Sequence, residues 1–505
     1  MYTPSPNQSR GRSAKLCSPT FRAPVGPAEG IGRARLGLML CLLVLLLPGC
    51  AVGPNYRRPN VAVPAVFRGP SGAAQQASFA DLPWWEVFKD ETLKELIKAS
   101  LANNYDLAAA VAHVEQARQV AAQARSQYFP AVDYGSALSY GHNQFTESPA
   151  SNLPGTQGFF LGVVTATWEA DVWGRIRRTN EGARAQYFAT EEARRGVMLT
   201  LASDVSQAYF ELLALRLQLE IVRENTQSYR NTLKLFTERQ QGGTGNALEV
   251  SRAAADLATV ASEIPTFEGQ IASKENEISV LTGKNPSTIE TKAKLLDEVI
   301  PPAVPAGLPS ALLQRRPDVL SAEQTVHYAS AQIGVAKAAY FPTIGLTTFF
   351  GKLSTPLADI TSSSTTAWSV GGNAAGPIFH GGELKAQKRQ AVAVWEQARS
   401  EYLQTALNAF RDVSDALIWR EEYDAIRVEQ AQAVEENQKA VALSIKRYVE
   451  GFSSYTEVLD AQQRLYPAQL ALAETELNRR LIIVRLYKAL GGGWNLTDAQ
   501  WAAAN

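Results

Sequence analysis

From residue 106 onward the apolar positions follow two rhythms. Long stretches space leucine, valine, isoleucine and alanine three or four apart, as at Leu212, Leu215, Leu219 and Val222, and leave the other faces charged. That spacing is the mark of amphipathic helices. Shorter stretches alternate: Val132, Tyr134, Ser136, Leu138 and Tyr140 share one side, with Asp133, Gly135, Ala137, Ser139 and Gly141 on the other. Ile344, Leu346, Thr348 and Phe350 oppose Thr343, Gly345, Thr347 and Gly351 in the same way, the period-two pattern of a strand with unlike faces. The pattern predicts strands near 131–143, 157–169, 343–351 and 366–377, and helices near 106–127, 175–241, 248–282, 318–339, 384–450 and 456–490. A short helix near 90–102 precedes them, with Asp90 as its N-cap.

These elements form one plan written twice. Tyr128-Phe129-Pro130 recurs as Tyr340-Phe341-Pro342, and Asp106 as Asp318, at one offset. Asp204-Val205-Ser206 recurs as Asp412-Val413-Ser414, Arg239 as Arg447, Gly243 as Gly451, Glu249-Val250 as Glu457-Val458 and Gly283 as Gly491, at an offset four residues shorter. A collinear series of this kind is a repeat. The first copy covers 106–283 and the second 318–491; 50–105 precede them, 284–317 link them and 492–505 follow. Each long helix would reach on the order of 100 Å at about 1.5 Å per residue. The shorter helix of each copy plus the helix before its strands has nearly the same summed length, so stacking those two end to end beside the long one makes a pair of antiparallel rods.

The strands, with large apolar residues on one side and small or polar ones on the other, suit either a sheet buried against helices or a barrel with lipid outside and water inside. Four strands cannot close a membrane barrel, because known bacterial barrels begin at about eight. An open edge in lipid leaves backbone groups unpaired. If the strands are in membrane, several chains share one barrel, and three chains supply twelve strands.

Composition changes this picture at the amino terminus. The chain has 505 residues and balances 49 basic against 49 acidic side chains, which disfavours a nucleic-acid binder. With 46% hydrophobic residues it is not disordered by composition. Residues 1–49, however, hold six basic residues and one acidic, and end in an apolar run over 36–47 directly after Arg33 and Arg35. This is the layout of a secretory signal, and the run is too short to span a bilayer as a helix, which needs about 20 residues. Its removal leaves an acidic mature chain with a net charge of −5. Of three cysteines, Cys17 and Cys41 leave with the signal and only Cys50 stays. Leu47-Pro48-Gly49-Cys50 resembles the bacterial lipobox, with Pro48 an unusual occupant. Ala51 follows, not the aspartate associated with retention in the inner membrane, so the expected destination is the outer membrane.

Several segments together resemble the TolC/OprM-type outer-membrane factors, and more closely the NodT subgroup of outer-membrane efflux lipoproteins. They read CAVGPNYRRP at 50–59, WEADVWGR at 168–175, GLPSALLQRRPDVLSAE at 307–323, GPIFHGG at 376–382 and YTEVLDAQQR at 455–464. The resemblance spans essentially the whole mature chain. It implies a mainly helical fold with a membrane β part: a homotrimer with a shared 12-stranded β-barrel in the outer membrane, a periplasmic α-barrel, and an equatorial belt made from the N-terminal segment, the linker and the tail. It implies a passive conduit of a tripartite efflux or export system, with a periplasmic membrane-fusion adaptor and an inner-membrane pump as partners. Cys50 would carry a diacylglycerol thioether and an N-acyl chain, and no other cofactor or metal is implied.

The gate in similar proteins lies just after the second tip turn, at positions that correspond here to Thr456 and Asp460; relatives often carry leucine at the first. The tip turns, with Gly242, Gly243 and Gly245 in one copy and Gly451, Ser453 and Ser454 in the other, would dock the adaptor. Arg239 and Arg447, one turn earlier, suit either helix-end bonding or adaptor contact. The rival reading is a structural or adaptor coiled-coil lipoprotein of the periplasm. Enzyme signals are weak: Gly283-Lys284 lacks the rest of a phosphate loop, and His113, His142, His327 and His380 show no metal-ligand spacing.

Overall fold

The computed structural model describes residues 51–69, 78–87, 90–142, 156–297, 305–493 and 496–497. The leader, Cys50 and the tail from 498 lie outside the described residues, as do 70–77, 143–155 and 298–304 of the inter-repeat linker. Among the described residues the principal helices are α1 (Glu91–Asn103), α2 (Tyr105–Ser126), α3 (Arg175–Gln241), α4 (Ala247–Ala261), α5 (Glu263–Leu281), α6 (Pro317–Ala338), α7 (Glu383–Val449) and α8 (Tyr455–Ala489). The strands are β1 (Ala131–His142), β2 (Thr156–Ala170), β3 (Thr343–Ser354) and β4 (Thr366–Ala375).

Each copy thus runs helix, two strands, long helix, inner helix. The helix expected over 248–282 is two helices, broken at Ser262. Pro265 supplies the reason, since it has no N–H to continue the ladder across the break. Its counterpart α8 runs unbroken over 35 residues although it carries Pro467. Asp90 caps α1 through Leu93 N at 3.0 Å.

The four strands form one antiparallel sheet in the order β1-β2-β3-β4. Registers such as Tyr134↔Val164, Val164↔Phe350 and Phe350↔Trp368 carry one apolar face across all four. Among the described residues that face has no cover: Tyr134 is 89% exposed, Val370 77% and Leu138 71%. Both edges, β1 and β4, lack a partner within the described residues.

The rods are built as stacked pairs. Asn104 accepts from Asp106 N and Leu107 N to cap α2, and donates to Leu281 O at the end of α5 at 3.1 Å. The same joint recurs in the second copy with different chemistry. Arg316, at the position of Asn104, donates to Ala489 O of α8 at 3.2 Å and pairs with Asp412 of α7 and Asp318. In both joints one side chain satisfies carbonyls left orphaned by a helix end.

The main core lies around this level. Trp84, Leu93, Ile97, Tyr209, Tyr402 and Leu486 are fully buried in it, each large apolar side chain contributing about 1.5–3 kcal/mol. Segments from three parts of the chain converge there. Phe79 N donates to Pro305 O at 2.8 Å, Tyr487 Oη to Leu82 O at 3.0 Å, and Arg315 pairs with Asp81 at 3.1 Å. Smaller clusters continue along the rods, one around Val222, Tyr229, Val260 and Tyr466.

Candidate functional site

The two helix reversals sit side by side at one end of the rods. In the first, Gly243 takes φ +76°, and the N–H groups of Thr244 and Gly245 close on Arg239 O at 2.9 and 3.1 Å. In the second, Gly451 takes φ +83° and Phe452 N closes on Arg447 O at 2.9 Å. Nothing stands within 4 Å of where a Cβ would lie at Gly243 or Gly451, so their positive φ is what calls for glycine. Gly242 ends α3 with its N–H on Glu238 O, while Ser454 precedes α8 and its hydroxyl bonds that of Thr456. Ser453 Oγ is buried without a hydrogen-bond partner among the described residues.

Beneath the turns Phe236, Ala253, Tyr448, Val458 and Leu459 form a small core that joins both copies. Arg239 lies 4.8 Å over the Tyr448 ring, and the Tyr448 hydroxyl donates to Glu249 Oε2 at 3.0 Å. Burial and that carboxylate push the Tyr448 phenol above its ordinary range. Arg447 reaches Phe452 O at 3.4 Å and Glu457 at 3.8 Å. Both arginines therefore bond within the chain.

Thr456 and Asp460 lie one turn apart on the exposed side of α8. Asp460 accepts from Arg464 at 3.0 Å, and both side chains are more than half exposed. At the matching positions α4 inverts the signs, with Arg252 for Asp460 and Asp256 for Arg464. Gln463 of α8 donates to Asp256 at 3.2 Å, and Arg252 lies 5.8 Å from the Tyr455 ring centroid. On the buried side, Gln462 Nε2 donates to Ser228 and Thr232 of α3 at 3.0 and 2.9 Å.

Farther along α8, Glu476 is almost fully buried and meets Arg427 at 2.7 Å, Arg479 at 3.0 Å and Arg480 at 2.8 Å. Burial raises the Glu476 carboxyl, but the three guanidinium groups outweigh it and hold the group below the ordinary glutamate range. This cluster fastens α8 to α7.

At the other end of the rods, the segment that follows Cys50 is clamped where β2 turns into α3. Val52 N donates to Trp173 O at 3.0 Å, and the buried Arg178 donates to Asn55 Oδ1 at 2.8 Å and pairs with Glu181 at 2.7 Å. Tyr56 stacks on His327 at 4.3 Å, His327 meets Glu181 at 3.0 Å, and Arg58 meets Glu323 at 2.7 Å. His327, which carried no signal in sequence, thus belongs to a polar network spanning α3, α6 and the N-terminal segment. Residues 52–55 and 173–178, far apart in sequence, are one site in space.

A family model described as "Outer membrane efflux protein" matches residues 96–284 and 308–492, which is both repeats. The chain is 33% identical to the probable efflux pump outer membrane protein TtgC of Pseudomonas putida, over 90% of this chain and 95% of the relative. It is 31% identical to the probable outer membrane lipoprotein SilC of Salmonella typhimurium, over 91% of this chain and 99% of the relative. The solved structure of the outer-membrane channel OprN superposes with a TM-score of 0.81 at 29% identity, covering 88% of this chain and all of that one. These likenesses favour the channel over the coiled-coil rod.

Proposed function

The chain belongs to the outer membrane efflux protein family, and from that membership we propose how it works as the outer-membrane channel of a tripartite efflux system: a passive homotrimeric conduit opened at its periplasmic tip, where side chains of α8 narrow it. The observation that carries the reading is the sheet. Four strands with two open edges and an uncovered apolar face are stable in lipid only as part of a closed barrel. Three chains supply the twelve strands, with the rods extending into the periplasm toward the adaptor and the pump.

Thr456 and Asp460 form the narrowing. Three Asp460 carboxylates near the threefold axis favour cations and repel one another, and Arg464 at 3.0 Å offsets part of that repulsion. Because these side chains are exposed, each pair contributes little stability on its own. Closure rests instead on the packing of α8 against α3 and α7, and Asp460 makes it conditional. The glycine turns at Gly242, Gly243, Gly245 and Gly451, with Ser453 and Ser454, form the adaptor-docking surface. Cys50 carries the lipid anchor, a role supported by the lipoprotein name of SilC and by the clamp that holds the residues after it against α3. The reading needs no catalytic residue, and the choice of cargo lies with pump and adaptor.

The test is Asp460→Ala in the purified trimer. Higher single-channel conductance with lower cation selectivity is expected, with the trimer intact; unchanged conductance, selectivity and antibiotic leakage would remove Asp460 from the gate.

A further inference from the structure

Resting on the channel reading and on the anchor at Cys50, we propose that a recess on the outer wall of each chain, just below the strands, holds the phosphate-bearing headgroup of an anionic phospholipid. The recess has a volume of about 490 Å³ and lies where the end of α2 meets α3 and α6. Tyr128, Arg177, Asn180, Arg184, Phe188 and Gln324 line it, together with Glu181 and His327.

Its depth is set by its surroundings. β2 ends at Ala170 and α3 begins at Arg175, so the start of α3 stands at the periplasmic rim of the sheet. Aromatic rings mark that level. Trp168 donates to Tyr128 O at 3.0 Å, and Trp173 donates to Pro342 O at 2.8 Å and stacks on Phe341 at 4.6 Å. Tryptophan and tyrosine gather where hydrocarbon gives way to headgroups. Ala51, next to the anchoring cysteine, packs at the same level: a Cβ added to Gly174 would lie 2.5 Å from Ala51 Cα. The side is set as well. Glu181 and His327 belong both to the recess and to the clamp on Tyr56 and Arg178. A segment anchored in lipid runs outside the conduit, so the recess opens toward lipid.

Charge selects the occupant. Glu181 is committed to Arg178 at 2.7 Å and His327 at 3.0 Å. Arg177 is held by Asp171 at 3.1 Å, yet 34% of its side chain is exposed. Arg184 is exposed and has no hydrogen bond or ion pair among the described residues. A guanidinium binds phosphate through two parallel hydrogen bonds, and basic recesses beside membrane segments take anionic headgroups. Arg184 follows Arg177 by seven residues, about 10 Å farther from the membrane along α3. Helical side chains lean toward the N-terminus, so this long side chain reaches back toward the headgroup layer, which is about 5–8 Å thick.

The test uses the full mature trimer, reconstituted in vesicles of phosphatidylcholine and phosphatidylglycerol and released into native mass spectrometry to count retained lipid. Phosphatidylglycerol is expected to be retained in preference to phosphatidylcholine, up to one per chain. Arg184→Glu should weaken that retention about tenfold, as loss of a charge-assisted contact implies, with the trimer intact. Arg184→Lys should keep most of it, and Arg230→Glu, at an exposed arginine farther along α3, should change nothing. Equal retention of the two lipids by the unsubstituted trimer, or an unchanged preference in Arg184→Glu, would overturn the site. Inorganic phosphate is the second probe: displacement of phosphatidylglycerol by phosphate at the lipid's own concentration would assign the recess to free phosphate and overturn the lipid. Unsubstituted protein that stays monomeric and does not insert into the vesicles would instead overturn the channel reading, and the proposal with it.

Discussion

α2 and α6 are the same helix in two copies, and they meet different surroundings. Leu107 and Val114 of α2 are buried against α3, and their counterparts Val319 and Val326 of α6 are buried as well. Beyond that the helices diverge. Within α6 only Asp318 and Lys337 are exposed, while most of α2 is exposed, including Val111 and Val120. The sheet divides differently: β2 and β3 are paired on both sides, while β1 of the first copy and β4 of the second are each paired on one. α6 is enclosed within the chain between α3 and α7, whereas α2 rests chiefly on α3. Equivalent elements of the repeat thus differ in how far the chain itself covers them.

Matched substitutions in the two copies test this contrast. The largest effect is expected at Glu476, whose counterpart in the first copy is Glu268. Glu476 is buried among three arginines, whereas Glu268 pairs with Arg223 at 2.7 Å in the open. Glu476→Ala removes the carboxylate that three arginines share, one of them the buried Arg480, and should cost about 3–5 kcal/mol; Glu268→Ala should cost about 0–1 kcal/mol. Urea unfolding of the two variants checks the difference. The same cluster sets an acid limit. The Glu476 carboxyl is held below its unfolded value, so its contribution is present above the unfolded pKa of about 4.3. It is lost as pH falls through the lower folded pKa. An acid titration followed by proteolysis should show α8 loosening from α7 only below that range, and earlier loosening would contradict the assignment.

A smaller effect is expected where α6 is packed without spare room. A Cβ at Gly334 would lie 2.7 Å from Arg178 Cγ, and one added at Gly53 would lie 2.5 Å from Gly334 Cα, so the two backbones are already close. Gly334→Leu should therefore cost about 1–3 kcal/mol by overpacking and expose the N-terminal segment to protease. Ala122→Leu, at the matching position of the open α2, should leave the single chain unchanged and act on trimer formation alone. Equal effects of the two variants would contradict the division between the enclosed α6 and the open α2.

Much of this was legible in the chain itself. The offsets between Tyr128-Phe129-Pro130 and Tyr340-Phe341-Pro342 exposed the duplication, alternation at Val132–Tyr140 marked a two-faced strand, and glycines at 243 and 451 marked the reversals. Local rules carry those features, because period and φ are written residue by residue. The break at Ser262 was missed because apolar spacing runs through it and the effect of Pro265 depends on the helix around it, as unbroken α8 with Pro467 demonstrates. The Tyr56–His327–Glu181–Arg178 network was not legible, since its three segments are separated by more than 100 residues and meet only once α3 and α6 are packed. Asn104 and Arg316 hold equivalent joints with unlike side chains, so identity of residue would not have revealed identity of role.

The central claim is that three copies close one conduit through the outer membrane. Planar-bilayer recording of the purified mature protein tests it most directly. Discrete, cation-selective conductance steps from a heat-modifiable, SDS-resistant trimer are expected. Protein that stays monomeric in SDS without heating, and adds no steps to the bilayer, would contradict it.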